Sequence, residues 1–251
     1  MSTVSRASEQ GGRDAQEDRA VFIKLDGELR RGWILALMDG HGGKEVAEVC
    51  SEDIDELVSR FAQKEGTTEN MLRLIVEELN RRTEHCNAGS TLSIACILED
   101  KDEVTLAVLG DSPIVIVDNK GRIHRGPIHN ISSNKAELEA AEARGAERDG
   151  RYIFFGNSGL QMSRSLGDRS LGPILSREPE IQTVKNPRWV MVCTDGVIDS
   201  CDEDAEGFIK GLRRQRKTLD AEKILKRRAR KPLPDNATVL LWKSFLPNAE
   251  T

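Results

Sequence analysis

The chain lacks a basic balance. Its 251 residues carry 42 Asp or Glu against 37 Lys or Arg, for a net charge of -5 and a pI of about 5.6. By overall charge it is not a nucleic-acid binder. It also lacks an apolar run long enough to cross a bilayer. Residues 1–10 are polar and have no apolar h-region, so no secretory signal is expected there. Cysteine is sparse: Cys50, Cys86, Cys96, Cys193 and Cys201 are odd in number and have no C-x-x-C spacing. They read as reduced, buried structural thiols of a cytoplasmic protein. None opens a C-x5-R loop, so Cys86 and Cys193 are not nucleophile candidates for a covalent tyrosine phosphatase.

Hydrophobic residues make up 38% of the chain and charged residues 31%, enough for a packed core and a soluble surface. The length suits one large domain. Residues 20–25 read as a strand. Residues 32–38 are nearly all apolar and read as a strand buried on both faces. Apolar residues at 46, 50, 54, 57, 58 and 61 make one helical stripe. A second helix is expected over 69–84, capped by Thr67 or Thr68. Strands follow at 90–98, 104–109 and 114–117, then a long polar irregular stretch at 123–134. A short helix over 135–144 ends at Gly145, with strands at 152–155 and 189–193. Two helices are expected over 205–216 and 220–230, the second stopped by Pro232 and Pro234. Residues 238–242 form the last strand. No internal repeat is present, and meandering strands with paired helices favour an α+β layered fold.

Four acidic motifs stand at apparent strand ends: Glu17-Asp18, Asp39-Gly40-His41-Gly42-Gly43, Thr194-Asp195-Gly196 and Asp235-Asn236. Each Asp-Gly taken alone reads first as a turn that closes a strand. A fold that gathers such carboxylates implies bound cations, because like charges repel and hard divalent metals need several oxygen ligands.

Seven blocks, in order, resemble the metal-dependent protein phosphatase family, the PPM or type 2C serine/threonine phosphatases. They are Gly12-Arg13-Asp14-Ala15-Gln16-Glu17-Asp18, Met38-Asp39-Gly40-His41-Gly42-Gly43, Ala88-Gly89-Ser90-Thr91, Leu109-Gly110-Asp111-Ser112, Met162-Ser163-Arg164-Ser165-Leu166-Gly167-Asp168, Cys193-Thr194-Asp195-Gly196-Val197-Ile198-Asp199 and Pro234-Asp235-Asn236-Ala237-Thr238. The resemblance implies a four-layer α-β-β-α sandwich with two central antiparallel sheets and a small flap. It implies a flexible segment at 1–12, one phosphatase domain at 13–245 with a flap at about 123–160, and a tail at 246–251. The implied reaction is hydrolysis of phosphoserine and phosphothreonine in phosphoproteins by a metal-bridged hydroxide, without a phospho-enzyme intermediate.

By the same resemblance two Mg²⁺ or Mn²⁺ ions are held. Asp39 bridges both, the Gly40 carbonyl binds one, and Asp195 and Asp235 hold the other. Glu17 and Asp18 act through metal-bound waters. Arg13 binds the substrate phosphate with its guanidinium fork. His41 is the candidate general acid, since imidazole titrates near neutrality and a neighbouring carboxylate favours its charged form. The implied protein is a monomer with no membrane association.

Other readings stay beside these. Asp18 could instead pair with Arg13 or Arg19. Asp111 reads as a turn residue or as support behind the ligands, and Asp199 as a helix N-terminal acceptor or as support. Arg164 fits either site support or a structural ion pair. His124 and His129 read as surface histidines, and His85 as a helix-end cation. The basic run from Arg213 to Lys231 reads as a solvated helix face, a docking surface for acidic partners or a nuclear-import signal. Asp202 to Asp204 stand near the start of the helix expected over 205–216 and complement its dipole. Pro113 stands where many members carry Arg. His129-Asn130 stands where they carry Asp-His, so a third metal site is in doubt. A pseudophosphatase and a nucleic-acid binder using the basic run are the competing functions.

Overall fold

The strand Arg31–Met38 shows why the chain layers as it does. Successive strand side chains point to opposite faces. Ile34, Ala36 and Met38 join one hydrophobic cluster, while Leu35 and Leu37 join another. A strand apolar at every position must be covered on both sides. The same split recurs in Leu92–Leu98, Ile114–Asp118, Pro187–Cys193 and Ala237–Ser244. The structure, a computed structural model, describes residues 2–64, 66–199, 204–228 and 233–244.

Two five-stranded antiparallel sheets form the centre. The first runs in spatial order Ser2–Glu9, Ala237–Ser244, Pro187–Cys193, Ile114–Asp118, Ile123–Arg125. The second runs Glu180–Lys185, Glu103–Leu109, Leu92–Leu98, Arg31–Met38, Arg19–Asp26. They face each other across Leu37, Ile97, Leu106, Ile116, Val190 and Leu240.

Helices α1 (Glu45–Ala62) and α2 (Thr68–Thr83) cover the second sheet with one apolar stripe each. Thr67 caps α2, its Oγ1 accepting from the Asn70 amide at 3.1 Å. Helix α3 (Lys135–Ala143) packs Leu138 and Ala141 with Ile153, Leu171 and Ile174 in a smaller cluster. A three-stranded sheet of Glu147–Asp149, Tyr152–Phe155 and Ser158–Leu160 adjoins it. Helices α4 (Ala205–Gln215) and α5 (Ala221–Arg228) cover the first sheet through Ile209, Leu212, Ile224 and Leu225. The order of layers is therefore α-β-β-α.

Two expectations are corrected. The segment 1–12 is not a flexible lead-in throughout. Ser2–Glu9 is an edge strand paired with Ala237–Ser244 over its whole length. Its backbone hydrogen bonds supply what its polar sequence conceals, and only Val4 and Ala7 pack inward. The polar stretch at 123–134 is not wholly irregular either, because Ile123–Arg125 closes the edge of the first sheet. Cys201, Asp202, Glu203, Arg230, Lys231, Pro232 and the tail at 246–251 lie outside the described residues.

The core between the sheets is stiff to truncation. Leu37 is fully buried there. Leu37→Ala is expected to cost about 2–5 kcal/mol in chemical denaturation, and a loss well under 1 kcal/mol would contradict this packing.

Candidate metal centre

Antiparallel register brings the acidic motifs to one end of the sandwich. Met38 pairs with Arg19, so Asp39 leaves one strand where Asp18 enters its neighbour. Cys193 pairs with Val239 and Val192 with Ile114, which puts Asp195, Asp235 and Asp111 at the same end. Leu92 pairs with Leu109 and brings Thr91 beside them. A cleft of about 390 Å³ opens there, lined by Arg13, Glu17, Asp39, Gly40, His41, Asp111, Asp195 and Asp235 among others. Every expected site residue except Asp18 lines it. Asp18 is buried behind, 4% exposed.

Backbone and hydroxyl contacts fix the ligand candidates. The Asp39 amide donates to Thr91 Oγ1 at 3.1 Å, and the Asp39 carbonyl accepts from the Thr91 amide at 3.0 Å and from Ser90 Oγ at 3.2 Å. Thr91 Oγ1 in turn meets Ser112 Oγ at 2.7 Å. Thr194 Oγ1 donates to Asp18 Oδ2 at 3.2 Å and accepts from the Thr238 amide at 3.0 Å. Asn236 ties down the N-terminal loop. Its Nδ2 donates to the carbonyls of Gln10 and Ala15, both at 2.8 Å, and its Oδ1 accepts from the Glu17 amide at 2.8 Å. At Gly196 an added Cβ would lie 2.0 Å from the Asn236 carbonyl oxygen. Only glycine lets the Asp195 and Asp235 loops approach this closely.

The electrostatics favour a cation. Asp39 and Asp195 open toward the cleft but are packed with protein on their other sides. Burial, then the charge of Asp195, pushes Asp39 well above the carboxylate range. Burial, then Asp111 and Asp235, pushes Asp195 up to about 7. Burial also pushes Asp18 up to about 6. The Asp18 Oδ1 atom is buried with no hydrogen-bond partner among the described residues. Against these carboxylates the cleft lining supplies, among the described residues, only Arg13 and His41 as basic side chains. An all-oxygen donor set with uncompensated charge and an orphaned buried oxygen fits hard divalent ions and not zinc.

Two basic side chains sit at this cleft. Arg13 is largely exposed, and its Nη2 lies 2.6 Å from Asp235 Oδ2, the contact that most raises its pKa. His41 Nε2 donates to Asp168 Oδ2 at 2.8 Å, and Ser165 Oγ donates to the same oxygen at 2.6 Å. A Cβ at Gly89 would fall 2.1 Å from Asp168 Oδ2 and 2.2 Å from His41 Nε2, so glycine makes room for the pair. Asp168 was visible only as the last residue of a motif; sequence gave no sign that it meets His41.

Several sequence readings change. Asp18 forms no surface ion pair; it is buried against Thr194, and Arg19 pairs with Glu48 instead. His129 is not a surface histidine. It is fully buried, its Nδ1 accepting from the Gly110 amide at 3.1 Å and its Nε2 donating to Glu180 Oε2 at 3.2 Å. With both nitrogens engaged it has no lone pair for a further metal. Asn130 Nδ2 donates to Asp111 Oδ2 at 2.8 Å, which places Asp111 as buried support and not as a free turn residue. Arg164 forms a structural ion pair with Glu137, 2.5 Å apart. His124 is half-buried beside Asp118.

The protein phosphatase 2C family profile matches residues 3–232. The chain belongs to the protein phosphatase 2C family. It is 28% identical over 222 residues to protein phosphatase fem-2 of Caenorhabditis elegans, covering 80% of this chain and 48% of that protein. It spans about half the length of the curated relatives it matches. The serine-threonine phosphatase 2C of Toxoplasma gondii shares the fold at TM-score 0.73 and 18% identity, over 96% of this chain and 94% of that one. The catalytic domain of the serine threonine protein phosphatase PstP, in complex with two manganese ions, matches at TM-score 0.61 and 18% identity, over 96% of this chain and 97% of that one.

The raised carboxylates set a pH dependence for the chelated protein. Their folded pKa values exceed the unfolded ones, so the folded state binds more protons between about pH 4 and the value of about 7 reached by Asp195. Stability then falls as pH rises through that window. Thermal unfolding in chelator should show Tm dropping between about pH 5 and pH 7, and added Mn²⁺ should abolish the drop. A chelated Tm that stays flat or rises would contradict the assignment.

Proposed function

We propose that the protein is a metal-dependent phosphatase acting on phosphoserine and phosphothreonine in proteins. The observation that carries this reading is the convergence of carboxylates from five separate segments on one cleft rimmed by an arginine. Family membership and the manganese-bound PstP neighbour support it. Asp39, the Gly40 carbonyl, Asp195 and Asp235 would hold two Mg²⁺ or Mn²⁺ ions. When bound, the ions supply an activated water and offset charge on the phosphoryl oxygens.

The chain's own residues do the rest. Arg13 stands at the rim with its Nη1 unengaged among the described residues, and its fork suits two phosphate oxygens. Glu17 lines the cleft and Asp18 backs it, where both would hold ion-bound waters in place. His41 commits Nε2 to Asp168, which leaves Nδ1 as the atom that passes a proton to the leaving oxygen. Among the described residues no serine, threonine or cysteine lines the cleft. The buried Cys50 and Cys96 thiols are pushed up to about 12, so neither is a nucleophile. This supports direct attack by water without a phospho-enzyme.

Asp195→Asn should lower metal-dependent phosphate release from a phosphothreonine peptide by more than about 100-fold while the fold is retained by circular dichroism. Full activity in that variant would sink the reading. His41→Ala should lower kcat about 10²–10⁴-fold on the phosphopeptide and far less on p-nitrophenyl phosphate, whose leaving group needs no proton. An equal loss on both substrates would remove His41 as the general acid.

A further inference from the structure

The two outer helical layers carry opposite charge. Helix α1 holds six Asp or Glu against one Arg. Residues 205–228, which contain α4 and α5, hold nine Lys or Arg against three Asp or Glu. Most cations of α5 are already engaged. Lys223 meets Asp220 and Lys226 meets Glu222, while Arg227 donates to Gln215. The end of α4 differs. Arg213 and Arg216 donate to backbone carbonyls, which leaves their charge unneutralised. Arg214 and Lys217 are exposed and make no ion pair among the described residues.

Folding adds a second segment to this end. Arg213 Nη1 donates to the Gly121 carbonyl at 3.2 Å, which sets α4 against the turn between the strands Ile114–Asp118 and Ile123–Arg125. That turn carries the exposed Lys120 and Arg122. Its one acid, Asp118, is buried and already accepts from Arg122 and His124. Cations in a last turn offset the helix dipole. That effect accounts for one or two charges on α4 and for none on the turn.

We propose that Lys120, Arg213, Arg214, Arg216 and Lys217, beside an Arg122 already paired with Asp118, form a docking patch for an acidic segment of the phosphoprotein substrate, a proposal that rests on the phosphatase reading. The partner follows from complementarity. The protein as a whole is acidic, which repels a long polyanion such as RNA. The exposed large hydrophobics among the described residues are Phe22, Leu29, Tyr152 and Phe155, and none lies in the patch. Bases therefore have no stacking platform there, and a bilayer has no apolar anchor. A short run of Asp, Glu or phosphoserine needs neither.

Geometry sets the spacing. The patch lies at the far end of Ile114–Asp118 from Asp111. At ~3.3 Å per strand residue the separation is on the order of 20 Å. An extended chain covers ~3.3–3.6 Å per residue, so the acidic run should begin about six or more residues from the phosphorylated one.

The test uses phosphothreonine peptides with an Asp/Glu run about two or about eight residues away, on either side, or with none. The distant run should lower KM by about 10-fold at low salt and the near run should not. Arg214→Glu/Lys217→Glu should erase that preference and leave p-nitrophenyl phosphate turnover unchanged. Lys120→Glu, on the other segment, should weaken it as well and serves if the double variant fails to fold. Fluorescence anisotropy with an unphosphorylated acidic peptide reads docking without turnover, so loss of catalysis and loss of docking are separable. Equal KM values with and without the run, a preference surviving both variants, or tighter binding of single-stranded RNA or anionic vesicles than of the acidic peptide would overturn the proposal.

Discussion

Repulsion among buried carboxylates is the constraint on which the rest of this structure depends. Burial, and then the charges of neighbouring carboxylates that include Asp111 and Asp235, raise the proton affinity of Asp18, Asp39 and Asp195. Such a cluster is costly in isolation. It persists because the sandwich is rigid where the aspartates emerge. Asp39, Asp111, Asp195 and Asp235 each follow or precede a strand whose two faces are packed, so no such strand can slide to separate the charges without moving apolar side chains out of register.

The second device is a set of neutral donors that hold the loops without quenching the charge. Thr91 and Ser90 grip the Asp39 backbone, Thr194 reaches Asp18, Asn130 reaches Asp111, and Asn236 straps the 10–17 loop to the Asp235 turn. Hydroxyls and amides fix position without adding positive charge that would compete with a divalent ion. The exception is Arg13, which meets Asp235 from the exposed rim. A long, solvent-facing cation at that point can exchange one oxyanion for another, and this suits a phosphate-binding role.

Much of this was legible because it is local. The run at 32–38 announces a strand covered on both faces, and the Asp-Gly that ends it announces a turn with a carboxylate. Helix stripes follow from periodicity, whereas the four-layer order and the ligand set were legible only through the family resemblance. What sequence could not show is long-range pairing. Ser2–Glu9 is polar and becomes a strand only against a partner more than 200 residues away. His129 looks like a loop histidine until Gly110 and Glu180 close on both its nitrogens. Asp168 meets His41 across a contact that Gly89 alone permits. The basic end of α4 gains the charges of the 120–122 turn only once Arg213 reaches Gly121.

The central claim is that this carboxylate cluster is built for divalent cations. Calorimetric titration of Mn²⁺ into chelator-stripped protein, wild type beside Asp39→Asn, tests it most directly. The account predicts saturable binding below millimolar concentration in the wild type and its loss in the variant, with both proteins folded. Absence of saturable binding in a folded wild type, or equal binding in the variant, would contradict it.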